Sequence, residues 1–144
     1  MARRRPDPGP QAPSSRAGVQ LSDRQRLNWL RLIRSENVGP ATFRALVNQF
    51  GGAEAALDAL PALSRRGGRP SIRVFTEAEA AAELEAADLA GARLVAMGEN
   101  GYPPALSHVD APPPVLYAKG RLELADGPII AMVGARNGSA VGQK

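Results

Sequence analysis

Apolar residues in the first half of the chain recur at the spacing of amphipathic helices. Ser22 and Gln25 have the spacing of a capping box, in which two side chains satisfy the amides at the start of a helix. The apolar stripe that follows comprises Leu27, Leu30 and Ile33. A second stripe, at positions i, i+3, i+4 and i+7, comprises Phe43, Leu46, Val47 and Phe50. The pattern therefore predicts two consecutive helices.

Glycine and proline mark the turns around the second helix. Gly39 is predicted to give the turn before it a positive φ, and Pro40 suits the first helical position. Gly51 and Gly52 are predicted to end this helix.

Two further helices are predicted before residue 91. A short third helix is expected over Ala53–Leu60, because Pro61 is expected to stop it. Thr76 and Glu79 form another capping-box pattern, which predicts a fourth helix that ends near Ala90.

The pattern changes after residue 91 to short apolar runs that are typical of strands. Strands are predicted at Arg93–Ala96 and Val115–Ala118. Ile129–Val133 is almost wholly apolar, which is typical of a parallel strand that is buried on both faces. The Gly-rich turn Gly134–Ser139 follows it, at the place where doubly wound folds bind ligands.

These elements predict an α+β chain in three parts. Residues 1–20 are rich in Pro, Gly, Ser and Arg, which predicts a disordered tail. Residues 21–90 form a small all-α domain, and residues 91–144 begin an α/β domain of Rossmann type. Because a strand–helix–strand unit needs about 30 residues, we expect the second domain to be incomplete at Lys144.

Charge and composition limit the chemistry. Basic residues exceed acidic ones by nine to four in residues 21–75, whereas acidic residues exceed basic ones by nine to five in residues 76–144. A basic half fits a polyanion partner, although 16 of the 18 basic residues are Arg, a bias that a GC-rich genome also produces. The chain has no Cys and one His, His108, which excludes thiolate zinc sites and the usual multi-His metal sites. We expect no metal, no membrane span, no secretory leader and a cytoplasmic location.

The segment from Leu32 to Leu46 resembles a helix-hairpin-helix motif, with Val38-Gly39-Pro40 as the hairpin. Amides at a helix N-terminus can bind a phosphate, but the same sequence can simply join two packed helices. A basic Gly-rich loop follows the third helix and is either a phosphate contact or an ordinary exposed loop. The possible secondary DNA contacts on this half are Gly39, Arg65, Arg66 and Arg69. Trp29, Tyr102 and Tyr117 are interpreted as packing residues.

Three motifs in the second half, in this order after a helix-hairpin-helix-like domain, resemble the DprA/Smf family. They are Gly101-Tyr102-Pro103-Pro104, the run from Pro113 to Gly120, and the run from Ile130 to Arg136. The resemblance extends from about Arg24 to Gly142. It implies a sterile-alpha-motif-like domain before an extended Rossmann-type domain. It also implies single-stranded DNA binding and loading of RecA recombinase during natural transformation, rather than enzyme activity.

The resemblance places the main DNA phosphate site at Gly134, Arg136 and Ser139. Gly134 allows close approach of backbone amides, Arg136 can donate two parallel hydrogen bonds to phosphate, and Ser139 can donate near a helix N-terminus. It implies no catalytic residue and no cofactor. The implied partners are single-stranded DNA, RecA, single-strand-binding protein and a second copy of the full-length protein.

Two other functions remain open from the sequence. Rossmann-type nucleotide phosphoribohydrolases also use a Gly-rich loop for phosphate, but no acidic motif for glycosidic cleavage stands beside Gly134. The helical domain can alternatively act only as a protein-interaction module.

Overall fold

The computed structural model describes residues 18–68, 71–128 and 130 of the 144-residue chain. Four helices, α1 to α4, are Asp23–Arg34, Pro40–Phe50, Ala53–Arg66 and Glu77–Leu89. Two strands, β1 and β2, are Arg93–Ala96 and Val115–Ala118, and 3-10 helices occupy Pro104–His108 and Leu122–Asp126. The fold class is α+β, as predicted. Within this part of the chain, none of the helices has the length and apolar character needed to span a bilayer.

Both predicted capping boxes are present. At the start of α1, Ser22 Oγ accepts from the Gln25 amide at 3.3 Å and Gln25 Oε1 accepts from the Ser22 amide at 2.8 Å. At the start of α4, Thr76 and Glu79 make the same exchange at 3.2 and 2.9 Å. The hydrogen bonds from the backbone and hydroxyl of Thr76 hold the pKa of Glu79 below its ordinary value. These local signals confirm where α1 and α4 begin.

The prediction that Pro61 ends the third helix is wrong, because α3 continues through Pro61 to Arg66. Leu60 is buried and Leu63 packs against the same helical core, so the apolar stripe continues beyond the proline. Pro61 itself is exposed. Burial of the stripe therefore outweighs the one backbone hydrogen bond that proline removes.

The helical core lies between α1, α2 and α3. Its buried members are Leu32, Val38, Phe43, Leu46, Ala53, Ala56, Leu57 and Leu60. Trp29 packs edge-to-face on Phe43 with 5.1 Å between ring centroids, which confirms its predicted packing role. Gly51 ends α2 with φ of 77°, as predicted.

A second buried region lies where α4 meets α1 on one side and β1 on the other. Its residues are Leu30, Ala80, Val95, Ala96 and Tyr102, none of which belongs to the helical core. β1 pairs antiparallel with β2, so that Val95 lies opposite Leu116. The Tyr102 hydroxyl donates to the Pro113 carbonyl at 2.8 Å and ties the following loop to this region. Both strand predictions in this part of the chain are thus confirmed, while Ile129–Val133, apart from Ile130, lies outside the described residues.

Candidate nucleic-acid interface

The turn between α1 and α2 is fixed by Ser35. The Ser35 amide donates to the Arg31 carbonyl at 3.0 Å, and its hydroxyl donates to the same carbonyl at 2.8 Å. The hydroxyl also accepts from the Phe75 amide at 3.1 Å. The Val38 amide then donates back to the Ser35 carbonyl at 3.2 Å, and Val38 is buried. The hairpin is therefore held in one conformation before α2 begins.

Asn37, not Gly39, supplies the positive φ of this turn. Asn37 has φ of 59°, whereas Gly39 has φ of −89° and ψ of 177°. The prediction for Gly39 is wrong because a residue that precedes proline is driven to extended backbone, and Pro40 follows it. Asn is among the residues that tolerate the left-handed region, since its short polar side chain can bond locally.

The first turn of α2 has open amides. Gly39 is the N-cap and has no side chain to accept a hydrogen bond, and the first turn contains no acidic residue. Among the described residues, no acceptor is bonded to the amides of Ala41 and Thr42. The positive end of α2 is therefore left uncompensated, which is the condition under which a helix N-terminus attracts an anion.

The segment that follows α3 docks onto this turn. The Glu36 amide donates to the Arg73 carbonyl at 2.9 Å, and the Arg73 amide donates to Glu36 Oε2 at 3.0 Å. A cavity of about 270 Å³ lies between the turn, α2 and the end of α3. Its apolar lining comprises Val38, Leu46, Leu60, Leu63 and Ile72. Ser64 and Gly67 also line it, and Arg65 and Arg66 lie between these two in the sequence, at the end of α3.

Ion pairs neutralise much of the basic character that the sequence assigns to residues 21–75. The pairs are Arg24–Glu54, Arg26–Asp23, Arg26–Glu99, Arg31–Glu77, Arg34–Glu83 and Arg73–Glu79. Four of the six carboxylates come from residues beyond 75. In the part of the chain that the structure describes, Arg65 and Arg66 are exposed and make no ion pair. The uncompensated charge of the helical half therefore includes these two residues at the end of α3.

Arg34 and Glu83 join α1 to α4 next to β2. Arg34 Nε and Nη2 donate to the Glu83 carboxylate at 3.1 and 2.8 Å, and this hydrogen bonding raises the pKa of Arg34. The Tyr117 hydroxyl is buried near this pair and has no hydrogen-bond partner among the described residues. Burial and the Glu83 charge raise the pKa of Tyr117, so the phenol stays neutral and acts in packing, as predicted.

Glu99 connects the helical half to the strands. Its Oε1 accepts from the Leu21 amide at 3.1 Å and from Arg26 Nε and Nη2 at 3.1 and 2.7 Å. Its Oε2 accepts from the Ala96 amide at 2.9 Å. Burial favours the neutral acid, but the hydrogen bonds from Arg26, Ala96 and Leu21 outweigh it and hold the pKa of Glu99 below its ordinary value. Glu99 is therefore a buried carboxylate that holds the start of α1 against the end of β1.

His108 makes a contact within its own helical turn. Its Nδ1 lies 2.9 Å from the Pro104 carbonyl, and the residue is exposed. Within residues 18–68, 71–128 and 130, no group of three or more His, Asp or Glu side chains is placed to bind a metal ion.

Two family matches cover most of the chain in sequence order. Residues 23–86 match the family described as a DprA-like N-terminal HHH domain, and residues 93–144 match DNA recombination-mediator protein A. The chain belongs to the DprA family. DprA proteins take part in DNA processing and recombination and are generally not enzymes. No curated protein matches this sequence.

The two DprA matches divide the candidate site residues between them. Gly39, Arg65 and Arg66 lie in the N-terminal match, where the structure groups the hairpin and the end of α3 around one cavity. Gly134, Arg136 and Ser139 lie in the second match, but outside the described residues, as does Arg69 of the helical half.

Two residues that shape this DprA chain carry weak signals or none in the sequence. Asn37 could have been recognised, because Asn is enriched at positive φ and stands in the predicted turn. Glu99 could not, because its partners Leu21 and Arg26 lie 78 and 73 residues away and no local pattern links them.

Proposed function

We propose that this DprA-family chain binds single-stranded DNA through phosphate contacts and helps to load RecA recombinase onto it during natural transformation and recombination. The observation that carries the proposal is the match of residues 93–144 to a DNA recombination mediator, because that segment contains the Gly-rich turn. The partners are single-stranded DNA, RecA and single-strand-binding protein, and the full-length protein works as a cytoplasmic homodimer.

The main phosphate contact in this proposal is the turn with Gly134, Arg136 and Ser139. Glycine permits close approach of amides, and the arginine two positions later can form a bidentate contact with a phosphate. Such contacts fix the strand without reading bases, so affinity should vary little with base composition.

Replacement of Arg136 tests this contact. Arg136→Ala should weaken binding of oligo-dT and oligo-dC by the same factor and should flatten the plot of log K against log salt by about 0.7. Fluorescence anisotropy of labelled oligonucleotides over a salt series measures both quantities. A change in base preference at unchanged slope would assign Arg136 to base reading or to structure.

A secondary contact is proposed on the helical half, at the hairpin with Gly39 and at Arg65, Arg66 and Arg69. The support is the open first turn of α2 and the two exposed arginines at the end of α3, a segment whose Ser64 and Gly67 line the same cavity as the hairpin. Arg66→Ala should also flatten the plot of log K against log salt, by about 0.7 at most, which corresponds to the loss of one phosphate contact. Arg121→Ala is the matched control, because Arg121 is also exposed but has Glu123 at 3.9 Å. Equal effects of the two variants would show that only net charge matters.

The recombinase step has its own test. Assembly of RecA filaments on oligo-dT that is coated with single-strand-binding protein should be faster with the protein than without it, and Arg136→Ala should remove the acceleration. If the protein binds DNA but leaves the assembly rate unchanged, RecA loading is excluded while DNA binding stands.

A further inference from the structure

A cavity of about 550 Å³ opens on the opposite end of the helical core from the hairpin cavity, between the start of α1, the end of α2 and the start of α3. Two half-buried aromatic rings, Trp29 and Phe50, form its apolar wall. Gly51 and Gly52 also line it, and no atom lies within 4 Å of the place where a Cβ would stand on either glycine. The rings are therefore reachable from solvent past two residues without side chains.

The charged residues that line this cavity have a net negative charge. Glu54 and Asp58 lie one turn apart on α3, and Arg24 is the single basic residue of the lining. Arg24 Nη2 lies 2.5 Å from Glu54 Oε1, although 73% of the Arg24 side chain is exposed. Among the described residues Asp58 makes no ion pair. The cavity thus already binds one guanidinium of its own chain and has a carboxylate left for another.

Asn28 also lines the cavity. The residue is 5% exposed, and its Oδ1 accepts from Arg31 Nη1 at 3.3 Å. Asn28 therefore connects this wall of the cavity to Arg31 of the same helix.

We propose that this cavity binds an arginine side chain of a partner protein. The guanidinium lies against Trp29 and Phe50 and beside Asp58. Aromatic faces attract cations, and a guanidinium pairs with carboxylates through fixed parallel donors. The two carboxylates make the cavity unsuitable for a phosphate, so this surface is distinct from the proposed DNA contacts and does not depend on them.

Trp29 is the only tryptophan of the chain and therefore reports directly on this cavity. The full chain is titrated with the peptide acetyl-Gly-Arg-Gly-Arg-Gly-amide while tryptophan fluorescence is recorded. The same peptide with citrulline in place of arginine keeps the shape and the carbonyl groups but lacks the charge. We expect a saturable change with the arginine peptide and a much weaker one with the citrulline peptide.

Two variants change the affinity in opposite directions. Asp58→Asn should weaken binding by about threefold or more, since it removes a partly exposed charge partner. Arg24→Ala should strengthen binding by about threefold, because it frees Glu54 from the internal guanidinium. Glu85→Gln is the matched control for Asp58→Asn, because it removes one exposed carboxylate from α4, away from the cavity, and should leave the affinity unchanged. Phe50→Leu keeps an apolar side chain at this position and should weaken binding through loss of the ring face.

The proposal is overturned if the two peptides give equal responses, or if no saturable change occurs. It is also overturned if Asp58→Asn and Glu85→Gln behave alike, or if Arg24→Ala weakens binding. A Trp29 response to oligo-dT that the arginine peptide cannot compete with would assign the cavity to a nucleobase instead.

Discussion

At the scale of single residues, Asn37 and Glu99 show two ways in which one side chain fixes a long stretch of backbone. Asn37 occupies the left-handed region that lets the chain reverse between α1 and α2. Glu99 gathers donors from residues 21, 26 and 96 onto one carboxylate. The first effect is local and conformational, and the second is electrostatic and long-range.

Replacement of Asn37 tests the conformational effect. Asn37→Val should lower the free energy of unfolding by about 1–2 kcal/mol, because a β-branched residue resists positive φ. Asn37→Gly should be neutral or slightly stabilising, since glycine adopts this conformation readily. Urea unfolding of both variants, followed by circular dichroism, measures the difference. Equal losses in the two variants would assign the role of Asn37 to its side-chain contacts.

Glu99 predicts a pH dependence of stability. Its pKa is held below the ordinary value of 4.5 in the folded chain, so its stabilising effect is fully present above pH 4.5 and is lost as the pH falls through the lowered pKa. Glu99→Gln should lower the free energy of unfolding at pH 7 by about 2 kcal/mol, less than for a fully buried pair because Arg26 stays in contact with water. The free energy of unfolding of the variant should also fall less than that of the wild type between pH 5 and pH 3. Urea unfolding at steps of about 1 pH unit measures both profiles. A parallel pH profile in both proteins would contradict the assignment.

At the scale of elements, α2 and α3 each contain a feature that is unfavourable in an isolated helix. α2 begins without a side-chain cap, and α3 contains a proline. Tertiary packing tolerates both features, since Phe43 and Leu46 of α2 and Leu57 and Leu60 of α3 lie in one core.

Pro61→Ala is expected to stabilise the protein by about 2 kcal/mol, because alanine restores the donor to the Leu57 carbonyl and favours helix. Pro61 is exposed, so the change removes little packing. Thermal unfolding measures the gain. A lower melting temperature would show that the proline ring has contacts that matter more than the missing hydrogen bond.

Gly39→Ser separates folding from DNA binding at the hairpin. The backbone of Gly39 is extended and nothing lies within 4 Å of its Cβ position, so a serine fits and can cap α2. Stability should rise by about 0.5 kcal/mol, while affinity for oligo-dT should fall if the open amides contact phosphate, because the new hydroxyl occupies them. Ser22→Ala, which removes a cap from α1, should instead lower stability and leave affinity unchanged. An unchanged affinity in Gly39→Ser would leave Gly134, Arg136 and Ser139 as the remaining proposed phosphate site.

At the scale of the whole molecule, hydrogen bonds join the helical segment up to residue 90 to the segment that follows it. Besides the Glu99 contacts, Lys119 Nζ donates to the Ala90 carbonyl at 2.8 Å and Arg44 Nη2 donates to the Asp110 carbonyl at 3.1 Å. That residues 21–90 and 91–144 form separate domains thus stays a prediction. The structure itself has hydrogen bonds between the two segments.

These contacts predict coupled unfolding. In urea, the loss of Trp29 fluorescence and the loss of amide protection at Val95 and Leu116 should share one midpoint. The fragment 21–90 should fold, but at a lower urea midpoint than the full chain, because it lacks Glu99. Separate midpoints in the full chain would show that the two parts fold independently.

What the sequence could predict depended on how local the cause was. Capping boxes and strands involve residues a few positions apart, so Ser22, Thr76 and the bounds of β1 were predictable. The path of α3 through Pro61 depends on a core built by other helices. The carboxylates that pair most closely with Arg26 and Arg34 are more than 40 residues away in the sequence. Charge counts alone therefore overestimated the uncompensated positive charge of residues 21–75.

The position of α4 has a consequence for how this chain can change over generations. Ala80 is fully buried on a helix that contacts α1 with one side and β1 with another. A larger residue there can be accepted only if neighbouring residues become smaller at the same time. In an alignment of relatives, substitutions at position 80 should therefore covary with positions on α1 or β1. Relatives with a larger residue 80 should have a longer distance between α4 and its neighbours α1 and β1.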